Sequence, residues 1–343
     1  MKPATPSSVS LPDTPALQAA PCLGAPITDA HIDALLSRDR TQVMRLVTEA
    51  YRLFAEGQAV EEVPSYLRPP HDARARIIAK PACLYGAHPV AGVKWVGSFP
   101  GNLALGLPRA SGLLVLNDMC TGLPIGSLEV AAINAHRTSA SAVMALNQLH
   151  GVPAGAQRAG RVISLVGTGH IGWQMACYLV HEGWLPSQWV LHDLDAARAQ
   201  AFAARLQALT PGGPDVPVHC ADSAAQASTL GEVVVYTTTA GVPHLNDLLL
   251  RPEQTLLHIS LRDLGPAVLA QAHNYVDEAG LAFSQKTALQ LAEEALGHRD
   301  YLRGEIDAVL AGGRPNDGRP VIFSPFGMGI LDLAVGQWIL RQP

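Results

Sequence analysis

The feature that most constrains the fold is a glycine pattern near the middle of the chain. Gly167, Gly169 and Gly172 form G-x-G-x-x-G within the segment VGTGHIG, between an apolar run over 162–166 and a helical pattern over 171–180. In that order the first glycine permits a tight turn, the second lets the backbone approach a pyrophosphate, and the third lets the helix pack closely on the strand. The segment predicts a dinucleotide-binding strand, turn and helix. The alternative is an ordinary glycine-rich turn.

A carboxylate follows at the distance that a ribose contact requires. The next apolar run ends in Asp193, about 20 residues beyond the last glycine, where its carboxylate can accept hydrogen bonds from both ribose hydroxyls. Leu194 and Asp195 come next and supply no cation, so a 2′-phosphate would meet negative charge. We therefore expect NAD rather than NADP. The predicted cofactor-binding residues of this segment are Gly167, Thr168, Gly169, His170, Ile171, Gly172 and Asp193.

The order of apolar runs predicts an α/β fold. After the fingerprint, strand-like runs such as QWVLHD, GEVVVYTTT, TLLHISLRD and HNYVDE alternate with helical patterns, which is typical of a parallel sheet covered by helices. Upstream, two helical patterns over 28–56 precede the strand-like runs ARIIA, VAGVKWVG, GLLVLND and PIGSLEV. The Ala-rich stretch from Leu128 to Leu149 predicts a long helix, and the length of 343 residues favours two domains.

Composition narrows the classes of partner. The net charge is −5 and no basic run occurs, which argues against nucleic acid or an anionic membrane surface as the main partner. No stretch of eighteen residues is free of polar interruption, so we expect no transmembrane helix. The five cysteines are odd in number and scattered, which fits a reducing cytoplasm, and no motif has the spacing of metal ligands.

Three charged residues lie in apolar or helical settings where each has two interpretations. Lys94, within VAGVKWVG, either reaches the solvent face of a sheet or points into a pocket with a partner. Arg137, within AHRTSASA, either covers apolar surface with its stem or holds a carboxylate through two parallel hydrogen bonds. Asp263 ends the run TLLHISLRD, and it suits either a general base at the carboxyl edge of the sheet or a cap of the next helix.

Five segments together resemble the ornithine cyclodeaminase/μ-crystallin family. They are VKWVGSFPGN, VLNDMCTGLPIG, AHRTSASA, VGTGHIG and SLRD, and the resemblance runs from about Arg68 to the C-terminus. It implies a Rossmann domain inserted in a discontinuous α+β domain that binds substrate and pairs in a homodimer. We expect a disordered tail over 1–26, the substrate domain over 27–140 and 320–343, and the NAD-binding domain over 141–319.

The resemblance also implies roles for individual residues. Lys94 matches the lysine that contacts the substrate carboxylate and assists proton movement. Arg137 matches an arginine that binds the same carboxylate and lies by the cofactor, and Arg68 matches an upstream arginine with a similar role. Asp263 matches the acid beside the nicotinamide, which handles the amine or activates water. Thr238 and Thr239 lie where the loop after the fourth strand touches the cofactor.

Two departures separate the chain from the cyclodeaminases of that family. Ile78 and Ala79 stand where cyclodeaminases carry a glutamate, and Phe99 replaces a histidine. The chain is more similar to the branch that includes the dehydrogenases of 2,3-diaminopropionate biosynthesis, which serve siderophore and peptide-antibiotic pathways. This implies NAD-dependent oxidative hydrolysis of N-(2-amino-2-carboxyethyl)-L-glutamate, a small substrate with three carboxylates. A redox-neutral cyclodeaminase, an alanine dehydrogenase or ketimine reductase, and a non-enzymatic NAD- or hormone-binding protein remain alternatives.

Overall fold

The structure is a computed structural model that describes residues 24–72, 74–152, 158–209 and 216–342. Most of the tail expected over 1–26 lies outside the described residues.

The strands are β1 (Ala59–Glu61), β2 (Ser65–Leu67), β3 (Arg76–Leu84), β4 (Val90–Ser98), β5 (Ala110–Asn117), β6 (Pro124–Glu129), β7 (Arg161–Val166), β8 (Pro186–His192), β9 (Val218–Cys220), β10 (Val233–Tyr236), β11 (Thr255–His258), β12 (His273–Tyr275), β13 (Leu302–Gly304) and β14 (Val321–Phe323). The helices are α1 (Asp29–Arg38), α2 (Arg40–Ala55), α3 (Ala131–Leu149), α4 (His170–His181), α5 (Ala196–Gln207), α6 (Ala224–Leu230), α7 (Pro266–Leu269), α8 (Ala279–Ala282), α9 (Ala288–Leu296), α10 (Ile306–Ala311) and α11 (Gly329–Ile339).

The described residues divide into two compact units. The first unit contains the chain up to Arg137 together with residues from Met328 onward, and the second unit runs from Thr138 to Gly327. A discontinuous first unit and a continuous second unit agree with the fold class expected from the sequence. The second unit extends past the boundary expected at 319, because β14 pairs with both β11 and β12 in its sheet.

The first unit is built on an antiparallel sheet. Its strands follow the order β1-β3-β4-β5-β6, and β2 pairs with β3. Helix α11 covers one face of this sheet at very short range. A Cβ atom at Gly92 would lie 2.8 Å from the Leu333 side chain, and a Cβ atom at Gly336 would lie 2.5 Å from the Leu114 side chain. Glycine at these two positions therefore allows the helix and the strands to approach each other closely.

The second unit is built on an eight-stranded parallel sheet. The strand order is β13-β12-β14-β11-β10-β7-β8-β9, and every pair in it is parallel. From β7, the sheet continues through β8 and β9 on one side and through β10 and β11 on the other side. This is the doubly wound order, whose direction reverses between β7 and β10. Open α/β sheets bind ligands outside the carboxyl ends of the strands at that point.

Most of the helices and strands predicted from the sequence are present, but some of them begin or end at other residues than predicted. Strand β6 continues to Glu129, so α3 begins at Ala131 rather than at Leu128. The run TLLHISLRD is a strand only to His258, because the amides of Ile259 and Ser260 both donate to the Tyr236 carbonyl and Leu261 adopts a φ of 64°. Over the described ranges, no helix combines the length and apolar character that crossing a bilayer requires.

Candidate active site

The fingerprint loop connects β7 to α4 in the second unit. Gly167 has a φ of 97°, and a Cβ there would lie 2.7 Å from the Thr237 carbonyl oxygen. The Thr237 hydroxyl donates to the Gly167 carbonyl at 2.8 Å, which fastens this loop to the end of β10. A Cβ at Gly172 would lie 2.6 Å from the Gly167 carbonyl. The first and third glycines are thus required by the turn and by the packing of α4.

The second glycine has a different setting. A Cβ at Gly169 would meet nothing within 4 Å, so open space adjoins the backbone there. Gly169 also caps α4, and among the described residues no side chain accepts a hydrogen bond from the first amides of that helix. His170 begins the helix with an exposed side chain, and Ile171 and Gly172 complete the first turn. Open space beside free amides at a helix N-terminus fits a pyrophosphate.

Asp193 lies directly after β8, next to this loop. Its Oδ2 accepts hydrogen bonds from the Thr168 amide and hydroxyl, both at 2.9 Å, and its Oδ1 accepts one from the Asp195 amide. Burial opposes ionisation, but these hydrogen bonds and the nearby Arg198 hold the pKa of Asp193 below its usual value. Asp193 is therefore an ionised acceptor at the position expected for a ribose contact. Asp195 caps α5 through the Arg198 amide.

Asp263 lies in the loop after β11, five residues beyond the end of that strand. Helix α7 is capped by Gly265, without a side-chain hydrogen bond, so Asp263 does not serve as its cap. Instead its carboxylate accepts hydrogen bonds from the Thr238 hydroxyl at 2.5 Å and from the Ser260 hydroxyl. The rings of His244 and His258 each lie 3.2 Å from a carboxylate oxygen.

The surroundings of Asp263 determine its charge. The side chain is fully buried, which by itself would raise its pKa. Contact with His258 and the hydroxyls of Ser260 and Thr238 outweighs burial and holds the pKa of Asp263 well below its ordinary value. The carboxylate is therefore ionised and a weak base. Thr238 is half-buried against it, and Thr239 is exposed beside it on the loop after β10.

In the first unit, Lys94 points to the face of the sheet that α11 covers. Its side chain is only 3% exposed, which excludes the solvent-face interpretation. The ammonium donates to Asp332 Oδ2 at 2.6 Å and to Asn134 Oδ1 at 3.2 Å. Burial and the charge of Arg137 lower the pKa of Lys94 to about 7, against the opposing effect of Asp332.

Arg137 shares both of these partners. Its Nε donates to Asp332 Oδ1 at 3.3 Å and its Nη2 donates to Asn134 Oδ1 at 2.6 Å. Asp332 is fully buried, and the charges of the two cations outweigh that burial and lower its pKa. Two candidate substrate-binding cations are thus brought together on one carboxylate, which the sequence did not assign to them.

Lys94, Arg137, Asn134 and Asp332 form a cluster in which the two cations have N–H groups that are not used by any described residue. An ammonium has three N–H groups, and Lys94 uses two of them on Asp332 and Asn134. Within the part of the chain that the structure describes, Arg137 Nη1 has no hydrogen-bond partner. Both cations can therefore donate to a further acceptor, and a carboxylate would suit them best.

Two further charged residues lie at the edge of this cluster. Lys80 is buried on β3, directly opposite Lys94 in the sheet register. Glu61 accepts hydrogen bonds from the amides of Gly329 and Ile330, so it caps α11 from β1. Burial raises the pKa of Glu61 to about 7, although these amides and Lys80 oppose the shift. The cluster therefore holds more positive than negative charge near neutral pH.

Arg68 occupies a different setting from the other two candidate cations. It directly follows β2, and its side chain is exposed. Its guanidinium lies over the Tyr66 ring, 5.2 Å from the centroid. The role that the resemblance implies for Arg68 stays a prediction.

Sequence reasoning missed the residues that hold the candidates in place. Asp332 is an acid inside the apolar helix segment GILDLAVGQWI, where an unpaired carboxylate would be costly, and this could have marked it. His244 and Ser260 gave no signal, because each lies in a loop of ordinary composition. Their importance comes only from where the chain folds back on Asp263.

Comparisons with known proteins agree with this architecture. The model of the ornithine cyclodeaminase/mu-crystallin family matches residues 28–342. The chain belongs to this family. A relative from Staphylococcus aureus (strain NCTC 8325 / PS 47), N-((2S)-2-amino-2-carboxyethyl)-L-glutamate dehydrogenase, is 28% identical over 305 residues, which is 86% of this chain and 88% of the relative.

Two further similarities extend over most of the chain. Alanine dehydrogenase from Archaeoglobus fulgidus is 25% identical over 327 residues, covering 92% of this chain and 94% of that protein. A solved archaeal alanine dehydrogenase dimer with bound NAD is 25% identical and superimposes with a TM-score of 0.78, covering 92% and 94% of the two chains. The fold expected from the sequence is confirmed.

Proposed function

We propose that this family member is an NAD-dependent dehydrogenase that oxidises and hydrolyses N-(2-amino-2-carboxyethyl)-L-glutamate to 2,3-diaminopropionate and 2-oxoglutarate. The observation that carries the proposal is the buried pair of Lys94 and Arg137 on Asp332, which retains free donors for a carboxylate. The similarity to a dehydrogenase of this substrate over 86% of the chain supports the choice of substrate.

The second unit supplies the cofactor site. The open backbone at Gly169, the uncapped start of α4 and the ionised Asp193 fit a dinucleotide whose ribose hydroxyls are free. A 2′-phosphate would meet Asp193 and Asp195, which favours NAD over NADP. The NAD bound in the archaeal alanine dehydrogenase dimer agrees with this choice.

The first unit supplies recognition of carboxylates. The substrate carries three of them, and charge-assisted hydrogen bonds of about 1.5–3 kcal/mol each can hold such groups at a partly dry site. We assign Lys94 and Arg137 to one substrate carboxylate and Arg68 to another. The excess positive charge of the cluster, with Lys80 buried opposite Lys94, makes binding of an anion favourable there.

The chemistry divides between the cofactor and the chain. NAD⁺ supplies the acceptor for the hydride that leaves the glutamate Cα. The residues of the chain orient the substrate carboxylates and accept the proton of the substrate amine. They later admit the water that hydrolyses the imine. We assign the proton handling to the Asp263 cluster, which includes Thr238 at the loop after β10.

One alternative substrate has specific support. The alanine dehydrogenases that resemble this chain act on a smaller amino acid, and they match slightly more of its length. A cyclodeaminase is less favoured, because Ile78 and Ala79 stand where that branch carries a glutamate. In the sheet register Ile78 shares a face with Lys80, so an acid is missing from the cationic side of the sheet.

We further propose a homodimer formed through the first unit. The sheet face opposite α11 exposes Trp95 and Leu113, which are paired in register between β4 and β5 and are 48% and 37% exposed. An exposed aromatic and aliphatic patch of this kind is typical of an interaction surface. The dimeric archaeal structure agrees with this proposal.

The setting in the cell follows from the chemistry. The five cysteines are odd in number and widely scattered along the chain, which fits a reducing cytoplasm. The product carries two amines next to one carboxylate. We place the enzyme in the supply of this building block to siderophore or peptide-antibiotic synthesis.

A product assay tests the proposed reaction. The purified protein is incubated with NAD⁺ and the glutamate adduct, and NADH, 2-oxoglutarate and 2,3-diaminopropionate are quantified. The proposal predicts all three in equal amounts. Oxidation of alanine but not of the adduct would favour the alternative dehydrogenase, and conversion of ornithine to proline and ammonia without net NADH would indicate a cyclodeaminase. Binding of NAD with no turnover would indicate a non-enzymatic protein.

A further inference from the structure

A short backbone pairing in the second unit fixes His244 against Asp263. The amides of His244 and Leu245 both donate to the Asp263 carbonyl, at 3.0 and 2.9 Å, and the Gly265 amide donates to the Leu245 carbonyl at 2.8 Å. Leu245 and Leu264 form a parallel bridge in the same place. The His244 ring is therefore positioned by main-chain hydrogen bonds, and its Nε2 lies 3.2 Å from Asp263 Oδ1.

Exposure separates the two residues. Asp263 has no accessible surface, whereas the His244 side chain is 40% exposed. The other ring on the carboxylate, His258, is fully buried. A carboxylate without surface cannot touch a substrate, so a proton that reaches Asp263 from a bound molecule must pass through a neighbour. His244 is the basic neighbour that a substrate can reach.

The contact also fixes which nitrogen of His244 is free. The Asp263 carboxylate is ionised and carries no proton, so His244 Nε2 must be the donor of this hydrogen bond. In a neutral imidazole the lone pair then lies on Nδ1. Among the described residues, His244 Nδ1 has no hydrogen-bond partner. Nδ1 of His244 thus points away from the carboxylate and is the nitrogen that can accept a proton when the ring is neutral.

We propose that His244 is the general base that takes the proton from the substrate amine, and that Asp263 acts through it as a positioning residue. The inference rests on the proposed function, because it requires a substrate amine that is oxidised. The proton moves from the ammonium nitrogen to Nδ1, and the ring becomes an imidazolium beside the Asp263 carboxylate. The freed lone pair forms the C=N bond as the C–H bonding pair leaves for NAD⁺.

The properties of the two side chains support this division. Asp263 is made a weak base by the hydroxyls and rings around it. An imidazole is well suited to proton transfer near neutral pH, and an adjacent carboxylate stabilises the imidazolium that forms. Asp263 thereby selects the tautomer and stabilises the charge, without itself meeting the substrate.

Kinetics of matched variants test the role of His244. His244→Gln keeps a donor for Asp263 but removes the basic nitrogen, and we expect kcat to fall about 100-fold or more. The dissociation constant of NAD⁺ should stay within about twofold. His298→Gln is the matched control, because His298 is also half-exposed and pairs with a carboxylate, Asp300. The control should keep the kcat of the wild type. Wild-type kcat in His244→Gln would overturn the proposal.

Chemical rescue separates proton transfer from structural support. Added imidazole should restore kcat of His244→Ala in a saturable way and should not affect His298→Ala. Asp263→Asn should lower kcat with little change in KM, and imidazole should not rescue it. Loss of activity in His244→Ala without rescue, together with a lowered melting temperature, would assign His244 to structure and overturn the proposal.

A spectroscopic readout tests the tautomer independently of turnover. In protein labelled with ¹⁵N-histidine, the His244 signal is assigned as the one missing in His244→Gln. We expect a proton on Nε2 and none on Nδ1 in the neutral ring, and a loss of this preference in Asp263→Asn. A proton on Nδ1 in the wild type would contradict the proposal.

The wild type distinguishes failure of this inference from failure of the proposed function. If it oxidises alanine rather than the glutamate adduct, the substrate is wrong, and the same variants are measured with alanine. The imidazole rescue of His244→Ala and the tautomer of the His244 ring then decide whether His244 is the general base. If the wild type oxidises no amine, both the function and the proton-transfer role fail.

Discussion

The ammonium of Lys94 lies 2.6 Å from the carboxylate of Asp332, although 238 positions separate the two residues in the chain. Both are buried, and Asp332 also accepts from Arg137 at 3.3 Å. One carboxylate therefore balances two cations that would otherwise be very costly to bury. Because both cations keep unused donors, we propose that this arrangement binds an anion.

Asp332→Asn tests the dependence of the first unit on this charge. The change leaves two buried cations without a counter-charge, and breaking a buried pair costs about 3–5 kcal/mol. We expect the free energy of unfolding in urea to fall by that amount. Glu49→Gln is the control, since Glu49 pairs with Arg52 on the surface of α2 and should contribute less than about 1 kcal/mol. Equal unfolding curves for the two variants would contradict this account.

Asp193→Ser tests cofactor choice. The change removes the proposed carboxylate acceptor for the ribose hydroxyls and a charge that would oppose a 2′-phosphate. Binding of NADH should therefore weaken about tenfold or more, and the preference for NADH over NADPH should decrease. Asp39→Ser provides a control, because Asp39 caps α2 in the first unit, serine caps a helix as well as aspartate does, and both nucleotides should bind this variant as they bind the wild type. Fluorescence titration with both nucleotides gives the result. Unchanged discrimination in Asp193→Ser would remove this residue from the ribose site.

His150 makes the second unit sensitive to acid. Burial, with the charges of Arg314 and Arg161, lowers the pKa of His150 to about 4, and its Nδ1 lies 2.8 Å from the Thr255 hydroxyl. Between the unfolded value near 6.5 and the folded value, the unfolded chain binds more protons, so stability falls as the pH falls. From pH 7 to pH 4 this group alone should remove about 3 kcal/mol.

Urea unfolding at several pH values measures this effect. His150→Gln should lose less stability than the wild type between pH 6.5 and 4, whereas His298→Gln, altered at an exposed histidine, should follow the wild type. Parallel pH curves for all three proteins would show that His150 is not the group responsible.

Trp95→Glu tests the proposed dimer. A charge in the middle of the exposed face of β4 and β5 should prevent association, so light scattering should give a mass near 36.2 kDa instead of twice that value. Leu249→Glu is the control, since Leu249 is an exposed leucine of the second unit. A wild type that is already monomeric would refute the dimer, as would a dimeric Trp95→Glu.

The fold of the second unit was largely predictable, because the motifs that indicate it consist of residues close together in the sequence. The fingerprint, the strand before it and Asp193 lie within one short segment, and each has a distinct mechanical role. The alternation of strand-like runs and helical patterns after the fingerprint predicted the parallel sheet that contains β7, β8, β10 and β11. Strands β9 and β13 were missed, because their sequences, VHC and LRG, contain no apolar run of the kind that marks β7, β8 and β10.

The clusters around the candidate residues were not predictable for the opposite reason. Asp332 approaches Lys94 only after α11 returns from the C-terminus to cover the sheet of the first unit. His244 reaches Asp263 through a backbone pairing between two loops. Neither pair of residues forms a recognisable motif in the sequence. The sequence predicted roles for Lys94, Arg137 and Asp263, and these stay predictions, while the groups that hydrogen-bond to them became visible only in the fold.

The most direct test of the proposed reaction follows one hydrogen atom. The glutamate adduct is prepared with deuterium at the Cα of its glutamate half, and in a separate sample at the α-carbon of its diaminopropionate half. We expect the first sample to give deuterated NADH with a slowed hydride step, and the second to give unlabelled NADH at the normal rate. Deuterium transferred from the second sample, or retained in the product of the first, would contradict the proposed reaction.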